Sequence, residues 1–387
     1  MKIPTSFWLY FSYSLYNLSV GLYNSFLPVH IRSLGATIFL VSLLSAIPAL
    51  IIVFLTPIWG MMADQVRSRK LFIMLGIISN TVLLLKFVFF DTQIQFIVAL
   101  GFFEIFICAL QPNIEAFATQ LIVQKGKAAG ILMTSRSIGL ALGAFMGGII
   151  FEILGMQKNF ILGFLISAFS ILIIINLKEE KVTETRNIKF FNLATYKSLL
   201  KDRYLLPVYV VAFLFSFGIV IFGNLFSIYF VNIGGSKSLL GITNSVIFII
   251  AIIVSTPVGV LADRIGRKQL LIFGTLVCCL KTGLLYFTAD PLITAAIWAF
   301  PLHPYISIAS IAIIADHTSN QARGSGIGLL IVVQSIARMI GPPIGGYLAE
   351  LITIRDLIPI STVILGIGGL VAIFFIKQEK VKKNTNM

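Results

Sequence analysis

Five ionisable side chains interrupt runs that are otherwise almost wholly apolar: Glu104, Glu115, Arg136, His303 and Arg338. A charge at the centre of a membrane helix costs at least ~2.5–3.5 kcal/mol on insertion scales, so each needs a partner or a task. Glu115 with Arg136 is the leading pair, opposite charges on neighbouring runs that could bind a polar solute or exchange a proton. The competing reading is a static ion pair that pins two helices, and the sequence leaves both standing. Glu104 and His303 lie 199 residues apart in matching runs, so each half of the chain would point one ionisable group inward. His303, between Pro301 and Pro304, reads either as a packing residue or as a proton relay. Arg338, three residues before Gly341, reads as reaching toward the end of the fifth run. Lys86 is expected to snorkel outward beside Asp91, whereas Lys281 has no such exit in the sequence. Asn113, with Gln111, Gln334, Tyr16 and Tyr23, adds neutral polar and aromatic groups. Such a lining suits a small organic solute better than a bare ion. No Gly-Lys-Ser/Thr phosphate loop, His-Glu-x-x-His or Cys/His cluster occurs, so neither an enzyme nor a metal or other cofactor is expected.

The elements that carry these groups follow from composition. Of 387 residues, 58% are hydrophobic and 11% charged, where soluble domains carry roughly 25% charged residues. Twelve apolar runs are readable, near 6–31, 38–63, 70–90, 94–121, 128–154, 158–177, 204–232, 238–263, 268–289, 292–317, 324–350 and 356–376. At about 20 residues per span they leave room only for loops and tails. The first run is broken by Tyr and Asn and lacks a small-residue cleavage pattern, so it reads as a retained helix. The fold expected is an all-α membrane protein with twelve transmembrane helices in two pseudo-symmetric six-helix bundles. Residues 1–177 would form the first bundle, 178–203 a cytoplasmic linker, 204–377 the second bundle and 378–387 a cytoplasmic tail. A short amphipathic helix over Phe190–Leu200 is expected to lie on the lipid.

The formal charge of +14 is explained by where the basic residues fall. With the N-terminus placed in the cytoplasm, the inner segments hold 21 of the 29 Lys and Arg and the outer loops only four: Arg32, Lys158, Lys237 and Arg355. The positive-inside rule then places both termini in the cytoplasm. The charge serves orientation and contact with anionic lipids, and no nucleic-acid partner is expected. Cys108, Cys278 and Cys279 fall within spans and read as small apolar fillers.

The two halves repeat each other. Gly60-Met-Met-Ala-Asp64 matches Gly259-Val-Leu-Ala-Asp263 at an offset of 199, and Gly143–Gly148 matches Gly341–Gly346 at 198. The segment Gly259-Val-Leu-Ala-Asp263-Arg264-Ile-Gly266-Arg267-Lys268 closely resembles the loop signature of the major facilitator superfamily. The first copy, Gly60 to Asp64 with Arg67, Arg69 and Lys70, departs from it, because Arg67 stands where the second Gly belongs. The resemblance implies that the fourth and tenth spans line a central cavity. It also implies that Asp64 caps the eleventh span and Asp263 the fifth when the protein is closed inside. Small residues at spacing four, Gly139, Gly143 and Gly147, then Ala337, Gly341 and Gly345, are expected to form seams along which the halves slide. Pro342 and Pro343 should kink the eleventh span. Drug–proton antiporters of this superfamily usually carry a Gly-Pro pair in the fifth span and an Arg in the fourth. Here Gly143-Ala144 fills the first slot and the fourth span has no Arg. The run Glu115-Ala-Phe117 followed by Arg136-Ser-Ile-Gly139 is similar to lactose-permease-type sugar symporters, though the acid–base spacing differs.

The expected function is secondary transport of a small organic solute by alternating access, proton-coupled, with a lean to export of amphipathic compounds or drugs. Coupled uptake of a sugar, nucleoside or similar polar metabolite is the alternative, and a passive facilitator or transporter-like sensor the remoter one. The expected setting is a monomer in the plasma membrane of a prokaryote.

Overall fold

The structure is a computed structural model that describes residues 5–121, 124–177, 193–301, 303–318 and 322–376. In the first bundle the helices are α1 (Thr5–Asn24), α2 (Leu27–Ser33), α3 (Ile38–Val66), α4 (Arg69–Phe87), α5 (Gln93–Ile107), α6 (Leu110–Leu121), α7 (Lys125–Leu154) and α8 (Met156–Ile175). A short helix, α9 (Leu193–Lys201), precedes the second bundle. There follow α10 (Leu205–Gly223), α11 (Phe226–Asn232), α12 (Lys237–Ile265), α13 (Arg267–Leu284), α14 (Pro291–Trp298), α15 (His303–His317), α16 (Arg323–Leu351) and α17 (Leu357–Phe375). Four crossings consist of two pieces: α1/α2, α5/α6, α10/α11 and α14/α15. Among the described residues, ten helical stretches are long and apolar enough to cross a membrane. The first and tenth crossings are not among them. The first spends its length on Tyr, Ser and Asn that bond inside the bundle, such as Ser12 with Ser170 at 2.8 Å. In the tenth, the described stretch stops at residue 301 and resumes at 303.

The repeat read from sequence is visible in backbone geometry. Gly35 (φ +89°) and Gly234 (φ +91°) make matching left-handed turns, which lack of a Cβ permits. Two residues on, Thr37 Oγ1 accepts from Leu40 N at 3.2 Å and Ser236 Oγ from Leu239 N at 3.0 Å, capping α3 and α12. We call the end carrying these turns the far end, and the end carrying the α3/α4 and α12/α13 loops the signature end.

Breaking a helix inside a membrane frees backbone carbonyls that must be satisfied within the protein. At the α5/α6 break Trp59 Nε1 donates to Ile105 O at 2.6 Å. At the α14/α15 break Lys281 Nζ donates to Trp298 O at 3.1 Å and Phe300 O at 2.8 Å, and lies 5.0 Å from the Trp298 ring centroid. Lys281 thus caps the broken tenth crossing, beside a cavity of about 160 Å³ lined by Ile219, Phe222 and Ile247. Lys281→Met leaves both carbonyls orphaned and should cost about 1–3 kcal/mol, read as a lower melting temperature in detergent. Lys281→Arg should recover most of it.

The glycine stripes hold each bundle together rather than joining the two. A Cβ on Gly139 would lie 2.2 Å from Ser14 O, one on Gly143 2.3 Å from Leu18 O, and one on Gly147 2.5 Å from Leu22 O. All three therefore face α1, in the same bundle. Gly341 meets Val220 and Gly345 meets Ile221 O at 2.2 Å, both on α10. The expected seam between halves is carried instead by the next residue round the helix. Gly148 abuts Gly241 of α12, and Gly346 abuts Ser42 of α3. These cross-bundle contacts lie in the far half, as does Ser245 Oγ donating to Ala141 O at 2.7 Å. A single apolar cluster, with Phe26, Phe151 and Phe160 from one bundle and Phe222, Phe226 and Phe230 from the other, closes the far end. Toward the signature end the core divides, one cluster around Tyr13 and Phe117 and another around Tyr209 and Ile314. The bundles meet at one end and part at the other.

Helix α9 packs against the second bundle through Leu199, which is buried in that core, while Leu200 stays exposed. It is thus seated on protein as well as turned outward. Helix α16 runs on through Pro342 and Pro343.

Candidate functional site

The groups singled out by type gather where the bundles part. Tyr13 of α1 donates its hydroxyl to Gln111 Oε1 at 2.9 Å, and Gln111 Nε2 donates to Glu115 one turn further along α6. Arg136 and Glu115 both lie within electrostatic reach of the Tyr13 hydroxyl. They make no ion pair with each other among the described residues, so the static bridge of the competing reading is absent there, and Glu115 instead ends a Tyr13–Gln111–Glu115 chain. Arg338 approaches from the opposite bundle, within electrostatic reach of Arg136. At 1.5 Å per residue these arginines stand about 16 Å and about 22 Å along α7 and α16, yet both are exposed. Exposure at that depth follows from the parting of the bundles.

Deeper toward the far end is Glu104, in the last turn of α5 before the break at Cys108 and Ala109. It lies within electrostatic reach of Tyr16 and Tyr23 of α1. Its carboxylate makes no hydrogen bond or ion pair among the described residues, which sets it apart from Glu115. Asn113 is buried and donates Nδ2 to Ala109 O at 2.8 Å, with its Oδ1 unpartnered. Asn113 therefore serves the α5/α6 break first. The His303 side chain lies outside the described residues, as do the surroundings of Gly259 and the side chain of Asp263.

At the signature loops, Asp64 pairs with Arg69 at 2.7 Å, within its own bundle. Arg67 takes a left-handed conformation (φ +58°) where the second copy has Gly266 (φ +97°), so the turn forms despite the missing glycine. Lys70 Nζ donates to Ile175 O at 2.6 Å and Leu177 O at 2.7 Å; Lys268 Nζ donates to Ile373 O at 3.0 Å. Each signature lysine thus caps the last helix of its own bundle, in matching register. Arg267 forms an ion pair with Asp316 of α15, an acid that sequence reading passed over. Gly60 faces Pro112, and Arg264 is exposed at the end of α12.

The sequence profile of the Major Facilitator Superfamily matches residues 9–303 and 208–386. The chain belongs to the major facilitator superfamily. Its relatives in the superfamily include the multi-drug resistance efflux pump PmrA of Streptococcus pneumoniae serotype 4 (strain ATCC BAA-334 / TIGR4). That protein is 24% identical over 273 residues, covering 68% of each chain. The multidrug resistance protein MdtG of Serratia proteamaculans (strain 568) is 25% identical over 282 residues, 69% of this chain and 67% of its own. Among solved structures, the nucleoside transporter NupG, in a point-mutant form, superposes with a TM-score of 0.83 at 13% identity, covering 96% of this chain and 100% of that one. At that identity the likeness speaks to the fold. Membership makes the chain an integral membrane transporter, and the paired bundles are the superfamily's architecture.

Two residues of this superfamily member were missed by type-based reading, because they sit near helix ends. Glu350 accepts from Phe39 N at 2.9 Å and Glu152 accepts from Ser238 N at 2.7 Å, each across the gap between bundles. The signal was available, since the two acids stand 198 residues apart, the same offset as the glycine stripes.

Proposed function

We propose that this transporter moves amphipathic organic compounds outward by alternating access, in exchange for protons. The signature end and both termini face the cytoplasm in this reading, which the 21-to-4 division of basic residues supports. What carries the proposal is the parting of bundles that are joined at the far end and separate toward the signature end, together with Glu104, which makes no hydrogen bond or ion pair among the described residues. A carboxylate without a partner in low dielectric favours the protonated form, and water reaching it favours release. Alternation would give Glu104 each environment in turn. The names of the PmrA and MdtG relatives support export. Solute contacts would come from Tyr13, Gln111, Glu115, Arg136 and Arg338. In the loops, Asp64 and Asp263 would hold the cytoplasmic end shut in the other half of the cycle, released here for Asp64 by Arg69.

Uptake of a polar metabolite is the second reading, favoured by the hydrogen-bonded chain Tyr13–Gln111–Glu115 beside two arginines. Flux in proteoliposomes under imposed pH gradients of either sign decides between them, using ethidium, a nucleoside and a sugar as probes. Export predicts ethidium movement against its gradient when protons flow the opposite way. Co-directional movement of nucleoside or sugar with protons, and none of ethidium, would replace it with uptake.

A further inference from the structure

The far end is shut by a device that neither the signature loops nor the cavity explains. Helix first turns present N–H groups without intrahelical partners, and these favour a negative charge. At α3 the third such donor, Leu40 N, is taken by the helix's own cap Thr37, and the second, Phe39 N, by Glu350 of the other bundle at 2.9 Å. At α12 the arrangement repeats: Leu239 N goes to Ser236, and Ser238 N to Glu152 of the other bundle at 2.7 Å. Beneath each carboxylate the helices touch through a glycine one turn further in, Gly346 on Ser42 and Gly148 on Gly241. The acids stand 198 residues apart, and their partners 199. Two matching cross-bundle contacts of this kind are not needed to hold either bundle, because both acids reach outside their own.

We infer that Glu152 and Glu350 are a paired latch that positions the bundles in the far-closed state and must release for the far end to open. Each acid completes the first turn of a helix in the opposite bundle, so separation of the far ends breaks both of these contacts at once. Losing the latch shifts the balance between the two orientations without touching the solute site. Each such charge–dipole contact is modest at an exposed position, and two acting together shift the balance about tenfold.

The inference rests on the alternating-access reading, and its test separates the two. One thiol is introduced by Ser245→Cys, buried below the latch, and in a second protein by Gln334→Cys in the middle of α16. Each is labelled with a membrane-impermeant maleimide from the far side and from the signature side, against the parent protein as background. In the Glu152→Gln/Glu350→Gln double variant, far-side labelling at position 245 should rise about tenfold while signature-side labelling at 334 falls. Unchanged labelling at both positions overturns the latch. A rise at both reports general loosening and also overturns it. If the same thiols, with both acids intact, never respond to acidification or ethidium, the alternating-access reading itself falls, and the latch with it.

Discussion

Glu104→Gln is expected to abolish uphill transport while downhill flux and solute exchange continue. The substitution keeps the shape of the side chain and removes only its capacity to carry a proton. In a coupled carrier the proton gradient drives accumulation only if one group binds the proton in one orientation and releases it in the other. Glu104 is suited to this because, among the described residues, no cation or donor holds it in one state. Glu115 is less suited, since Gln111 already donates to it. The steady-state ratio of ethidium across the vesicle wall should fall to about 1 in Glu104→Gln, whatever pH gradient is imposed. Counterflow exchange at constant pH should stay near wild-type rates. Accumulation that survives the substitution would move the proton to another group. Glu115→Gln, by contrast, should weaken solute affinity and leave the coupling ratio intact.

Gly143→Val should cost about 3 kcal/mol or more and largely remove folded protein from the membrane. A Cβ there would lie 2.3 Å from Leu18 O and 2.8 Å from Gly21 Cα, both backbone atoms, so α7 can accommodate it only by leaving α1. Gly21 opposes it with equal intolerance, 2.7 Å from Leu140 O. Close approach of small residues is what holds helices together in lipid, where burial of apolar surface contributes little. Gly130 on the same helix is the control, because nothing lies within 4 Å of a Cβ there. Gly130→Ala should leave the melting temperature unchanged or raise it slightly, by removing backbone entropy from the unfolded chain. Equal behaviour of the two variants would mean that α1 and α7 are not in contact in the membrane.

The apolar runs were legible because a membrane demands about 20 apolar residues wherever the chain crosses. The repeat was legible because Gly60, Gly143 and Gly147 each have a partner at nearly one offset in the second half. What those glycines touch was not. Residues 147 and 148 are adjacent in sequence but about 100° apart on the helix, and only tertiary packing assigns one to α1 and the other to α12. Glu115 and Arg136 looked like partners because opposite charges on adjacent spans are costly apart in dry lipid. That premise fails where the bundles part, and Gln111, only one turn away, wins the carboxylate. Lys281 had no sequence rationale because its partners are backbone carbonyls freed by a helix break that lies 17 and 19 residues away. Asp316 went unnoticed for a similar reason: its partner Arg267 is in another helix and was already accounted for by the loop signature.

Alternating access requires that one end close as the other opens. It is tested most directly by distances between spin labels on opposite bundles in the same preparation. One pair joins Val66 and Gly324 at the signature end, and the other joins Ser33 and Ile352 at the far end. On acidification, and on addition of ethidium, the signature-end distance should shorten in the molecules whose far-end distance lengthens. Two distances that hold constant under every condition, or that lengthen together, would contradict it.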